Sequence, residues 1–207
     1  MNKYSIEFYD GLQKAYDFFN QELFDNELPQ CMILLQRKSN AAGYYRKNTF
    51  TNSNNENISE IALNPDCFNQ PIKEILSTLA HEQSHLLCDI RGYVSRKGFH
   101  SKQWCEVMKG IGLQAVDPRT GQDCDSGGAK MTHRIVEGDC FDLACKKLLE
   151  KITFDLTNIV EIKEKKEKKI TKVHYICNEN NEHEVVGKPG MKIICGECSV
   201  EMKETEQ

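Results

Sequence analysis

His81-Glu82-Gln83-Ser84-His85 is the feature around which the rest of this 207-residue chain must be arranged. Two histidines four positions apart meet at one point only where the backbone is α-helical, because residues i and i+4 sit one above the other at 3.6 residues per turn. The flanking residues predict that helix independently. Pro71 opens it, and Ile72, Ile75, Leu76, Leu79 and Leu86 recur on one side as far as about Ile90.

Both imidazoles of such a helix can reach one ion, and Glu82 follows the first of them, where a carboxylate contacts a metal-bound water rather than the metal. Zinc takes a third protein ligand and keeps its fourth position open for catalysis. His100 is the natural supplier, beyond a turn bracketed by Gly92 and Gly98 and just before a helix, SKQWCEVMKGIGL, that Ser101 could cap. Three neutral histidines leave zinc its full charge and bring the pKa of bound water down to about 7. Glu82 is then the expected general base, taking that water's proton as it attacks a carbonyl and passing it to the leaving amine. Tyr93 and His133 are candidate donors to the tetrahedral oxyanion, and packing or surface hydrogen bonding is the competing role for each.

Upstream, Ile6, Tyr9, Leu12, Ala15 and Phe19 predict an amphipathic helix over about 5–23. Met32-Ile33-Leu34-Leu35, Ala42-Gly43-Tyr44-Tyr45 and Ile58 to Leu63 read as short strands, with the turn-type run TNSNNEN at 51–57 before the third and Asn64-Pro65 closing it. One helix, a small antiparallel or mixed sheet and then two helices is an α+β arrangement. Charge divides the chain into a zincin-like domain at 1–160, a linker at 161–172 (EIKEKKEKKITK, net +3) and a small module at 173–207 (net −4). The overall charge of −4 excludes a globally basic nucleic-acid binder. No run nears the ~20 apolar residues of a membrane span. The charged amino-terminal stretch lacks the apolar core of a signal peptide, so a cytoplasmic location is expected, where ten cysteines are not a disulfide framework.

Several segments in order and spacing resemble the SprT-like zinc metalloprotease domain. They are Phe19-Asn20-x-x-Leu23-Phe24 with Leu28-Pro29, Ala42-Gly43-Tyr44, Glu60-Ile61-Ala62-Leu63-Asn64-Pro65, Thr78-Leu79-x-His81-Glu82-x-x-His85, and His100-Ser101-x-x-Trp104 with Met108 and Ile111-Gly112-Leu113. The resemblance spans about 1–145, and more loosely 172–203, where bacterial and phage members end in a zinc ribbon. It implies that His81, His85 and His100 bind catalytic zinc, that Glu82 is the general base, and that Trp104 packs under the metal helix. Eukaryotic relatives degrade proteins crosslinked to DNA, which makes a DNA-associated role an expectation by analogy. In zincins an edge strand pairs with extended substrate, and the strand ending at Asn64-Pro65 is the candidate edge. The expected activity is a zinc-dependent endopeptidase acting on protein or peptide. Two other readings stand beside it: a DNA-associated metal-binding module with little protease activity, and a regulatory protease with one dedicated protein partner.

In the carboxy-terminal module, Cys195-Gly196-Glu197-Cys198 forms half of a zinc ribbon and Cys177 supplies a third thiolate. Asn180 stands where the fourth cysteine is expected. Either a histidine substitutes, His174 or His183, and a second, structural zinc is bound, or the module is a metal-free hairpin pair with inert cysteines.

Overall fold

Helix α1 (Lys3–Leu23) buries Phe8, Leu12, Ala15, Tyr16 and Phe19 as its spacing predicts, while Ile6 and Tyr9, counted in the same stripe, are exposed. The computed structural model describes residues 3–93, 96, 98–154 and 172–205. Asn20 anchors the end of α1 by bracketing Leu28, donating to its carbonyl at 2.9 Å and accepting from its amide at 3.0 Å. That bracket turns the chain into β1 (Met32–Leu35). Strands β2 (Gly43–Thr51) and β3 (Asn57–Leu63) follow as a hairpin. Its turn is organised by Asn52, whose side chain accepts from the amides of Asn54 and Glu56.

The strand order is β1-β3-β2, with β3 parallel to β1 and antiparallel to β2. The strand ending at Asn64-Pro65 is therefore the central one, not an edge. Its last four residues, Glu60 to Leu63, are all buried, as a strand paired on both sides and packed by a helix requires. The edge next to the histidine helix is β2. Asn64 then holds the chain just ahead of that edge's start: its Nδ2 donates to the carbonyls of Lys38 and Ala41, each at 2.8 Å, and its Oδ1 accepts from the Asp66 amide to cap the short turn Pro65–Cys67.

Helix α2 (Ile72–Ile90) begins after Pro71, at a position whose amide has no intrahelical partner to lose. Twelve of its nineteen residues are buried, so it is enclosed on most of its circumference. Gln83 inside it donates to the backbone carbonyl of Tyr16 in α1 at 3.0 Å. Beyond α2 come β4 (Phe99–His100), α3 (Lys102–Gly110), β5 (Leu113–Asp117), β6 (Gln122–Asp123), β7 (Gly128–Ala129), β8 (Thr132–Ile135) and α4 (Cys140–Leu149). Ser101 caps α3 by accepting from the Trp104 amide at 3.2 Å, a contact typically contributing about 1 kcal/mol. Strands β6-β5-β8 form a second sheet, and β4 pairs with β7. This sheet and α4, capped by Asp139 and packed on α1, extend the architecture beyond the single sheet and two later helices expected. The result is α+β.

The chain divides into two units, Met1–Val160 and Glu161–Gln207. In the second, β9 (Val173–Ile176), β10 (Glu184–Gly187) and β11 (Lys203–Thr205) form one antiparallel sheet in the order β10-β9-β11, rather than two hairpins. Val173, Tyr175, Cys177, Cys195 and Met202 are its small core. The charged segment read as a linker, 161–172, lies outside the described residues apart from Lys172. No described helix is long and apolar enough to cross a membrane.

Candidate metal centres

His81 and His85 come from adjacent turns of α2, and His100 from β4. Each offers a nitrogen, and the three lie within 4.8 Å of one another. His100 reaches this point because β4 pairs with β7, setting His100 opposite Gly128. Gly127 makes that pairing possible: it has φ +83, and a Cβ there would lie 2.2 Å from the His100 carbonyl oxygen, so no residue with a side chain fits. Three imidazoles converging with no acidic group between them are a donor set that suits a borderline-soft divalent ion.

Trp104 is the floor of the cluster. Its ring centroid lies 4.3 Å from that of His100 and 4.8 Å from that of His81, and it stacks on His85 at 5.3 Å with 21° between planes. It is 1% exposed, so the rings above it rest on a rigid apolar surface. Burial sets the charge state of the cluster. It lowers His85 to about 3 and His100 to about 4, and holds His81 well below its usual range, with neighbouring imidazoles adding to the effect on His81 and His85. At neutral pH all three are uncharged, which is the form that ligates metal.

Glu82 occupies the same turn as His81 but faces β2. Burial pushes its carboxyl up to about 8, against the opposing effects of the Lys38 charge and a hydrogen bond from the Tyr45 backbone amide. Gly43, two residues before Tyr45, lies close against it: a Cβ on Gly43 would stand 3.0 Å from Glu82 Oε1. Nothing in the sequence around Gly43 pointed to this approach, which depends on the hairpin register.

Of the two suggested oxyanion donors, neither lies free at the cluster. His133 has both ring nitrogens engaged, Nδ1 at 3.0 Å from His81 Nδ1 and Nε2 at 2.8 Å from Ser77 Oγ. Tyr93 lines a different hollow, with Leu23, Asp25, Arg91 and Gln103, and its side chain bonds Arg91. Ser77 was legible only in retrospect, as a polar residue one turn before His81 on an otherwise apolar face.

In the second unit Cys177, His183, Cys195 and Cys198 bring their ligand atoms within 4.8 Å of one another. His183 Nδ1 lies 3.3 Å from Cys195 Sγ and 3.7 Å from Cys198 Sγ, while its Nε2 meets Asn180 Nδ2 at 3.2 Å. His174 stays outside, paired with Glu184 across the sheet. Strand alternation explains this: Val173 and Tyr175 face the core, which turns His174 away. The Cys195 thiol is lowered to about 6, chiefly by the backbone amides of Cys198 and Glu197, and so offers a thiolate near neutral pH.

The family model described as the SprT-like family matches residues 12–124. A Salmonella typhimurium protein described as "Uncharacterized protein in mucB 3'region" is 63% identical over 38 residues, or 18% of this chain and 51% of that protein. The chain thus spans about half the length of the curated relative it matches. No solved structure matches.

Proposed function

The chain belongs to the SprT-like family, and from that premise we propose that it is a cytoplasmic zinc-dependent endopeptidase. The observation that carries the reading is the meeting of three uncharged histidine nitrogens within 4.8 Å, with the Glu82 carboxyl on the same helix. His81, His85 and His100 would hold the zinc, which is borderline-soft and suits imidazole. When bound, zinc supplies Lewis-acid polarisation of a peptide carbonyl and makes water nucleophilic at neutral pH.

The remaining chemistry belongs to the chain. Glu82, buried against β2, would in its anionic form accept a proton and keep it from bulk water until an amine leaving group needs it. The Tyr45 amide and Lys38 offset the cost of its anionic form. Among the described residues strand β2 is paired on one side only, by β3, and its other edge offers backbone groups to an extended peptide, binding with little sequence selectivity. Protein substrates on DNA are included by resemblance to the family. Cys177, His183, Cys195 and Cys198 would hold a second, structural zinc in a ribbon-like module.

The test is cleavage of an unfolded protein by wild type and Glu82→Gln, with zinc measured in both. The expected result is a loss of about 10²-fold or more with zinc retained. A Glu82→Gln protein that cleaves as wild type overturns the mechanism.

A further inference from the structure

We infer that Ser77 and His133 fix the tautomer of His81, so that the chain presents the Nε2 lone pair of His81 to the ion; the role in metal binding rests on the reading above. The hydrogen-bond directions force this from one end. Ser77 Oγ lies 2.8 Å from the backbone carbonyl of Glu74, which can only accept, so the hydroxyl proton is directed there. Ser77 Oγ is also 2.8 Å from His133 Nε2 and must accept from it. The neutral His133 ring then carries its proton on Nε2 and has a bare Nδ1. That Nδ1 lies 3.0 Å from His81 Nδ1, a contact that needs a proton from His81. His81 is left with Nδ1–H and an unprotonated Nε2.

The reverse assignment fails at its last step. With His133 protonated on Nδ1 instead, its Nε2 and Ser77 Oγ would face each other with no proton between them unless Ser77 released Glu74. Ser77 and His81 are one turn apart on α2, so a single imidazole spans both. His133 is brought to them by β8, whose pairing sets it opposite Ala115. It lies beyond the segment that the family model matches, so this support comes from a part of the chain outside that segment. His133 is a positioning residue. Partners of this kind on ligating histidines hold the ring and raise its basicity, and losing them typically weakens metal affinity about 10–100-fold.

The experiment uses the full chain. Long-range proton–nitrogen correlation of the histidine rings in wild type is expected to show His133 as Nε2–H and His81 as Nδ1–H. Zinc affinity, measured by chelator competition, is expected to fall about 10–100-fold in His133→Leu. It is expected to recover in His133→Asn, whose Oδ1 can accept near the position of the lost Nδ1. Thermal melting of each variant reads folding separately. A folded His133→Leu protein with wild-type zinc affinity overturns the inference, as does a His133 ring protonated on Nδ1. A wild type that takes no zinc at the histidine cluster fails the metal-centre reading instead, and the ring spectrum of that sample still decides the tautomers.

Discussion

Gly43 and Glu82 are so close that the side chain Gly43 lacks would occupy the space of the carboxylate: its Cβ would stand 3.0 Å from Glu82 Oε1, and 2.9 Å from both the Ala62 carbonyl oxygen and Thr78 Cγ2. Two of these neighbours cannot easily yield, one being backbone and the other a helix side chain stiff at χ1. Gly43→Ala must therefore push β2 away from α2. Overpacking of this kind costs about 1–3 kcal/mol, and here the displaced strand also carries the Tyr45 amide that bonds Glu82. Cleavage is expected to drop about tenfold or more, with zinc content unchanged; a misplacement near 1 Å is sufficient for that. Parallel melting and peptidase assays check it, and full activity in a folded Gly43→Ala protein would contradict the packing.

Acid should destabilise the zinc-free first unit before most carboxylates titrate. Its buried histidines have folded-state values lowered to about 3 for His85 and about 4 for His100 and His133, against roughly 6.5 in an unfolded chain. The unfolded state binds more protons between these limits. The stability they contribute is complete above about pH 6.5 and is lost as pH falls towards about 4. Each histidine contributes at most about 1.4 kcal/mol per pH unit in that window. Glu82, raised to about 8, works in the opposite direction and removes stability as pH rises towards that value, so urea midpoints of chelator-treated protein should peak near pH 7 and decline below about 6.5; a midpoint unchanged down to pH 5 would refute the burial argument.

The carboxy-terminal cluster distinguishes two histidines that composition treats alike. His183 faces the sulfurs of Cys195 and Cys198, whereas His174 is turned to Glu184. Zinc per chain, by elemental analysis, is expected to fall from about two to about one in His183→Ala and to stay at about two in His174→Ala, from the four-ligand rule for structural zinc. Equal values for both variants would remove His183 from the site.

Trp104 is the sole tryptophan in the sequence, and its ring contacts all three histidines of the first cluster. Its emission should change when zinc is added to or stripped from the protein, with no other tryptophan to obscure it. In His85→Ala, which removes the stacked ring, the zinc-dependent change should largely disappear. A signal indifferent to zinc in wild type would place the ion elsewhere.

Local pattern made α2 and the Ser101 cap legible, because helical period and capping chemistry act within a few residues. The cluster of His81, His85 and His100 followed from that helix plus one turn. Strand order did not follow. The apolar run at Ile61-Ala62-Leu63 was assigned to an edge, although burial on both faces is the mark of a central strand. The true edge, β2, runs to exposed residues beyond Tyr45 and has little apolar pattern to announce its length. Asp139 followed by Phe141, Ala144, Cys145 and Leu148 marks α4 by the same rules that found α2. The role of His133 depends on a pairing between β5 and β8 and a contact across 52 residues, which no local pattern encodes. His183 was separable from His174 only once strand alternation had a core to face.

The bond from Gln83 to the Tyr16 carbonyl gives α1 a say in events it never touches. Gln83 adjoins Glu82 in sequence, so the axial position of Glu82 is indexed to a helix that contributes no group to the cluster. Drift in the apolar residues of α1 would thus shift Glu82 while leaving the three histidines unchanged in identity. A lineage could retune this cluster by changing residues more than sixty positions away in sequence, with every histidine left in place.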